Sequence, residues 1–532
     1  MQAVAEAYTD PPVPLQSTYG NSVAYFERKL IGFVESEQAH TMDLAELERQ
    51  LGQRGKDLMR QILQEHIDSR GKGEAATPVR DKDGELRPRL RLHKKNIETP
   101  FGTVEARRIG YGQQGLASLH PLDADLNLPD ELYSLEIRRR VALEAARNSF
   151  DDTVQNIIDY TAGHVPKRQS EELTQRAAED FDAFYDQRRW DPASMEKTGE
   201  ILVLTVDGKG VVMRKQDLRE PTRKAAEAAA SEGDSPHSGE VQEKKNAKRM
   251  SMVASVYTIA PFVRTAEDIA LKRKSPDKGK TIESQRPKPE CKRVWASLEK
   301  DADEVIRDVF QEALARDPDQ KKIWVALVDG EEKQLRILKR IAKEMKVKLI
   351  IIMDIYHVLE YLWKAARVFH PGSKSKQDVW VEDHLLSVLQ GKAGQVAAGI
   401  RRSITMRNLD ANTRKNAEAC ARYLKNHKDF FKYDTYLASG FPIATGVIEG
   451  ACRHLVKKRM ETSGARWSLV GAEAVLKLRA LQYSKDFDEY WAFHEKKVYE
   501  RTHQSRYNCG IVPQVVSASH PKKGPKLKLI KN

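Results

Sequence analysis

Short apolar runs alternate with stretches of helical period through the middle of the chain. Ile201-Leu-Val-Leu-Thr-Val206 and Ile323-Trp-Val-Ala-Leu-Val328 are continuous and short enough to be buried strands. Each is followed at once by an Asp-Gly pair, Asp207-Gly208 and Asp329-Gly330. Beyond the first lie two more strand candidates, Val211-Val212-Met213 and Met250 to Ile259, at a spacing that suits an antiparallel meander. From Val294 to Leu314 the apolar residues Val294, Leu298, Ala302, Val305, Val309 and Phe310 recur at roughly 3.6-residue intervals and predict a helix. Leu335, Leu338, Ile341, Ala342 and Met345 predict a second over about 332–345, and Val347 to Met353 reads as a strand. The predicted order is strand, strand, strand, helix, strand, helix, strand.

The flanks carry other patterns. Residues 1–20 are poor in apolar side chains and predict disorder, while 21–88 read as a mainly helical region that ends in a charged, Gly-rich stretch. One of its helices starts at the capping box Asp43-Leu-Ala-Glu46, with Leu44, Leu47, Leu51, Leu58 and Ile62 as its stripe. Two strand-like runs, about 89–97 and 103–109, flank Thr99-Pro-Phe-Gly102 and predict a β-hairpin. Ser149-Phe-Asp-Asp152 opens a helix that ends near Gly163, and Pro166-Lys-Arg-Gln169 opens another. Two helices joined this way can form a helix-turn-helix, with Lys167, Arg168 and Gln169 at the end that meets DNA. Together, 89–190 are expected to be a DNA-binding region, and 199–355 the core, with mobile linkers at 215–248 and 272–292. A helical insertion over 356–443, a closing part of the core over 444–505 and a basic tail over 506–532 complete the expectation.

Composition narrows the partner. Lysine and arginine outnumber acidic residues 90 to 77 in the 532 residues, for a net charge of +13. A basic surface of that kind favours a polyanion, nucleic acid first. The four cysteines have no CxxC spacing, which argues against a disulfide framework or a structural zinc site. No apolar run approaches the roughly 20 residues that span a bilayer, and Met1 to Pro14 lacks the pattern of a signal peptide. The expectation is a cytoplasmic protein that works at DNA and not at a membrane.

The predicted strand order is that of a ribonuclease-H-like core. It puts Asp207 on the first strand, Asp329 on the fourth, and Glu449 in the helical stretch Ile448 to Val456 after the insertion. Taken singly, each has an ordinary explanation: Asp-Gly is a favoured turn dipeptide, and a glutamate suits a helix N-terminus. Jointly they point to carboxylates that hold two Mg²⁺ ions, with Mn²⁺ able to substitute. Asp354 and His357, in Met353-Asp-Ile-Tyr-His357, read either as the cap and first turn of the next helix or as auxiliary groups, Asp354 being the rival of Asp329. Lys457, Lys458, Arg459 and Arg466 beyond Glu449 read as a solvated face or as phosphate contacts.

From about residue 95 to about 495 the chain resembles the ISKra-type family of bacterial insertion-sequence transposases. The resemblance rests on Thr99-Pro-Phe-Gly-Thr-Val104, Ser149-Phe-Asp151, Val165-Pro-Lys-Arg-Gln169, Val206-Asp-Gly-Lys-Gly210, His357-Val-Leu-Glu-Tyr-Leu-Trp363, Gly446-Val-Ile-Glu-Gly-Ala-Cys452 and Arg466-Trp-Ser468. It implies a DDE transposase: an α+β protein with a ribonuclease-H-like core, a helical insertion before the glutamate, and Asp207, Asp329 and Glu449 as the metal-holding catalytic triad. It further implies an enzyme that binds the terminal inverted repeats of its element, cleaves there, and joins the ends to target DNA as a homo-oligomer. Asp354-Ile-Tyr-His357 is similar to the Cys/Asp-x-x-His signature of related transposases. The alternatives are a catalytically silent DNA-binding derivative, which would be marked by a lost carboxylate, and a structure-selective nuclease.

Overall fold

A computed structural model describes residues 19–231, 247–274, 286–462 and 464–516. The expected disordered start falls almost wholly outside these residues, as do 232–246 and 275–285 of the expected linkers and most of the expected basic tail. The chain divides into two compact units, one made of residues up to Asp180 together with those from Asp488, the other of Phe181–Phe487.

In the first unit, helix α1 (Leu44–Ser69) is capped by Asp43, whose carboxylate accepts from Glu46 N at 2.8 Å. The expected stripe is only partly a core: Leu58 is buried, but Leu44 is 72% exposed. The C-terminal turns do the packing, through Leu63 and Ile67 against Ile97, Val104, Ala106 and Leu128. The hairpin forms from β1 (Arg89–Thr99) and β2 (Gly102–Gln113), with Thr99 opposite Gly102 and Pro100-Phe101 as the turn. A third strand, β3 (Leu116–Leu119), extends the sheet and was not expected. Helices α2 (Leu135–Arg147), α3 (Phe150–Tyr160) and α4 (Lys167–Ala177) bury Ile137, Val141, Ile157, Val165 and Leu173 in one core.

The corner between α3 and α4 is locked to the hairpin turn. A Cβ on Gly163 would sit 3.0 Å from the Thr99 carbonyl and from Ile137 Cδ1, so glycine is required by close approach. The Glu98 carboxylate accepts from His164 N at 3.0 Å and from the Thr103 hydroxyl at 2.6 Å. Residues 488–516 also belong here, although they were expected to close the core and to form a tail. Buried Asp180 accepts from His494 Nδ1 at 2.7 Å and pairs with Arg501, and Tyr490 OH donates to the Ala177 carbonyl at 2.6 Å. Tyr507 is buried with Val79 and Leu119.

The second unit is built on a five-stranded mixed sheet of order β6-β5-β4-β7-β8. Strand β4 (Ile201–Val212) runs unbroken through Asp207, because β5 (Lys248–Ile259) pairs with it along its whole length, from Ile201↔Ile259 to Val212↔Lys248. The short strand expected at Val211 is therefore the end of the first. The third strand is β6 (Glu290–Ser297), antiparallel to β5, in a segment expected to be linker and helix. Helix α5 (Ala302–Arg316) starts only after it, at a full capping box of Asp301 and Glu304. Val294, Trp295 and Leu298 fit a helical period and a buried strand equally, and the neighbouring sheet edge decides. Next come β7 (Ile323–Val328), α6 (Glu332–Glu344) and β8 (Leu349–Met353), with β7 parallel to both β4 and β8.

A helical segment follows: α7 (Ile355–Phe369), α8 (Lys374–Leu389), α9 (Ala393–Met406) and α10 (Ala411–Asn426). It leads to the six-residue α11 (Gly446–Ala451), a π-helical turn at Cys452–Lys457, and α12 (Leu469–Ser484). Part of the first expected linker is also ordered, as a helix at Glu220–Ser231. The protein is thus a mixed α/β chain with one five-stranded mixed sheet and one three-stranded antiparallel sheet.

Candidate active site

Strand register brings three acidic residues to one edge of the second unit. The last β4–β7 pair is Thr205↔Leu327, so Asp207 and Asp329 each lie two residues further along neighbouring parallel strands. Such strands run about 4.8 Å apart. Asp354 follows β8 at the same level: Val328 pairs with Met353, and Asp354 N donates to the Val328 carbonyl at 2.8 Å. These are the carboxyl ends of the parallel strands, where open α/β sheets place their ligands.

Glu449 reaches this edge from α11. Cys452, three residues on, donates its thiol to Asp207 Oδ2 at 3.2 Å and fastens the helix over β4. The π-helical turn after it loosens the carbonyl ladder, and Arg479 on α12 answers by donating to the Leu455 carbonyl at 2.6 Å and to that of His454. Burial, followed by the negative charges of Asp354 and Asp207, raises the Glu449 carboxyl above the ordinary range, and His357 acts in the opposite sense. The Cys452 thiol is likewise pushed up, by burial and then by Asp207.

Asp329 is held through its backbone. Tyr423 OH donates to the Asp329 carbonyl at 2.9 Å, while its carboxylate accepts from Glu331 N at 3.0 Å. Gly330 has φ +98°, and a Cβ there would meet Tyr423 Cε2 at 3.1 Å and Met353 Sδ at 3.2 Å. What approaches that glycine is a pair of side chains.

Asp354 is different in kind. It is fully buried and accepts from Tyr356 N at 3.2 Å, Thr445 N at 3.1 Å and Thr445 Oγ1 at 2.7 Å. It caps α7, and through Thr445 it holds the start of α11, since Glu449 N donates to the Thr445 carbonyl at 3.0 Å. Its oxygens are thus committed to the segment that carries Glu449. Half-buried His357 stands one helical turn on.

The basic candidates separate. Lys457, Lys458 and Arg466 are exposed, but Arg459 is buried with its guanidinium 4.8 Å from the Trp467 ring, a correction to the expectation of four cations on a solvated or phosphate-contacting face. Trp467 is itself tied to β4, its N donating to the Val212 carbonyl at 3.2 Å. In the other unit, Lys167 is exposed and pairs with Asp151, Arg168 is 88% exposed at the side chain, and half-buried Gln169 donates to Glu172. Among the described residues, no three His, Cys, Asp or Glu side chains form a ready-made metal cage. Cys452, Thr445 and Tyr423 were missed as site residues; only Cys452 carried a signal, lying one turn from Glu449. No protein-family model matches the chain, and no curated protein matches it.

Proposed function

We propose that the second unit is a ribonuclease-H-like catalytic core and that the protein is a DNA transposase of the ISKra-type insertion-sequence kind. The observation that carries this is the placement of Asp207 and Asp329 at one level on adjacent parallel strands, with Glu449 fastened over Asp207 through Cys452. The strand order, two antiparallel pairings followed by two parallel ones, supports the same reading.

The residues fit a pair of Mg²⁺ ions, with Mn²⁺ able to replace them. Among the described residues Asp207, Asp329 and Glu449 have no ion-pair partner, and burial, followed by the like charges of Asp354 and Asp207, raises the pKa of Glu449. Such a cluster is relieved by a cation. Mg²⁺ keeps several waters and needs only one or two carboxylates, so the lack of a closed cage is no obstacle. Asp207, Asp329 and Glu449 would hold the ions, which when bound activate an attacking oxygen and stabilise the leaving one. Asp354 and Thr445 keep Glu449 in place. Lys457, Lys458 and Arg466 supply exposed positive charge beside the site for the DNA backbone, whose uniformity lets one site accept transposon ends and target in turn. In the first unit, α4 presents Arg168 and Gln169 for end recognition. Both ends must be held at once, which calls for a homo-oligomer on DNA.

The test is to incubate the protein with duplexes that carry the DNA flanking its gene, then map nicks and joined products. Asp207→Asn, Asp329→Asn and Glu449→Gln should each abolish cleavage and leave end binding within about threefold, since phosphate and base contacts supply affinity. Cleavage without joining would favour a nuclease, and binding without cleavage by the unaltered protein a silent DNA-binding derivative.

A further inference from the structure

Helix α11 borders more than the acidic edge. Beside it, wholly within the second unit, is a cavity of about 990 Å³ floored by Gly446, Val447, Gly450 and Ala451. A Cβ at Gly446 or Gly450 would meet nothing within 4 Å, so these glycines leave bare helix backbone facing open space. The walls are cationic and aromatic. Arg286, Lys288, Lys292 and Lys485 line it, and among the described residues none of them is ion-paired. Among the described residues the only acidic one in the lining, Asp486, is already engaged by Arg188 at 2.8 Å and by Tyr185 OH at 2.9 Å. Exposed Tyr483 and half-buried Trp190 add rings to the same walls, with Tyr257 buried behind them.

Unbalanced positive charge asks for an anion, and aromatic walls ask for a flat apolar group alongside it. A single-stranded nucleic acid has both, and positively charged grooves with stacking rings are how such strands are bound without regard to sequence. A duplex is too wide to enter. The volume lies at the upper end of the range for small-ligand pockets and suits about two nucleotides. Glu449 and Gly450 are neighbours on one helix, so the acidic edge and the cavity flank the same helix, α11.

We propose that this cavity receives an unpaired stretch of the DNA strand whose phosphodiester lies at Asp207 and Glu449, its phosphates towards Arg286, Lys288, Lys292 and Lys485 and its bases towards the rings. This rests on the phosphodiester reading above. The site therefore works on ends that are locally melted, and an end with unpaired bases beside the cut is its preferred substrate.

Two variants of the full chain test it by fluorescence anisotropy, with a labelled oligo-dT and a labelled blunt duplex as probes. Gly450→Leu fills the cavity, and the Lys288→Glu/Lys292→Glu pair reverses its charge on an exposed rim. Each should weaken oligo-dT binding about tenfold, the equivalent of one lost stacking contact, with duplex binding changed no more than about twofold, since that is set by phosphate contacts elsewhere. Unchanged oligo-dT affinity in both variants overturns the proposal, as does an equal loss on both probes, which would mark a general cationic surface. Preferential binding of oligo-rU would overturn the assignment to DNA. Cleavage assays separate the two readings. If Asp207→Asn and Glu449→Gln are inactive while both cavity variants bind oligo-dT normally, the cavity proposal falls alone. If the unaltered protein never cuts but both cavity variants lose oligo-dT, the phosphodiester reading falls and single-strand binding by the cavity stands.

Discussion

Replacing Asp354 by alanine and by asparagine separates a positioning carboxylate from a metal ligand. Alanine removes the cap of α7, freeing Tyr356 N, and strands a second backbone donor, Thr445 N, in a buried place. The lost cap costs about 1 kcal/mol and the unsatisfied buried donor about 1–3 kcal/mol, so a loss of roughly 2–4 kcal/mol is expected. Asparagine keeps one acceptor oxygen for both amides, and the Thr445 hydroxyl can turn to accept from its NH₂ group, so the cost should be about 1 kcal/mol or less at neutral pH. Burial raises the Asp354 carboxyl above its ordinary value. The folded state then binds this proton more tightly than the unfolded state, and stability falls as pH rises from the ordinary carboxyl range through the raised value. The advantage of aspartate over asparagine is therefore greatest in acid. Urea titrations of the intact chain at a pH below the ordinary aspartate value of about 3.9 and at neutral pH, with amide exchange at Thr445 and Tyr356, measure both effects. Asparagine should still cut DNA, and alanine should cut poorly because Glu449 loses its anchor. An asparagine variant as unstable as alanine would refute the hydrogen-bond argument. An inactive Asp354→Asn beside an active Asp329→Asn would make Asp354 the metal ligand.

Mg²⁺ or Mn²⁺ should support cleavage, and Ca²⁺ should permit binding with little chemistry because its larger, looser shell misplaces the attacking oxygen; full activity in a chelator would sink this. Replacing Arg168 and Gln169 by alanine should cost about 1–3 kcal/mol of end binding per lost base contact, with a smaller effect on scrambled DNA, read by gel shifts at two salt concentrations. An equal loss on both DNAs would restrict these residues to the backbone. Gly330→Ala should destabilise the chain by about 1–3 kcal/mol, because the left-handed backbone and the contacts with Tyr423 and Met353 both resist a methyl group. Gly208→Ala, whose added Cβ meets the mobile end of Met250 at 3.0 Å, should cost less in the same denaturation assay.

What the sequence disclosed follows from how strongly each segment constrains itself. Ile201 to Val206 and Ile323 to Val328 are legible because the strands they form are central and almost entirely buried, so polarity gives no alternation to misread. The β6 strand is illegible for the converse reason: its last four residues are buried and its first three exposed, so no single polarity pattern runs through it. Helix positions fare alike. Ser149 and Asp43 cap the helices they were expected to cap, since a cap is a local hydrogen bond. By contrast, residues 488–502 pack against Asp180 in the first unit, an attachment that rests on one buried carboxylate more than 300 positions away and leaves no local trace.

The candidate site divides along the same line. Asp207 and Asp329 could be read because each ends or interrupts an apolar run. Their being level with one another depends on the β4–β7 register, which no single run contains. Asp354 was ambiguous between cap and ligand because the sequence gives it one visible partner, the helix that follows. Its second partner, Thr445, is 91 residues distant and consumes the remaining oxygen. Arg459 was misread for a similar reason: a basic run near an acidic site looks uniform until Trp467 folds over one member of it. A polar side chain's chemistry is fixed by how many of its bonding positions the fold has already filled. Sequence near the residue reports only the first of these, so the candidate ligands are carboxylates such as Glu449, whose pKa is raised by burial and then by neighbouring charge and whose oxygens accept no hydrogen bond among the described residues.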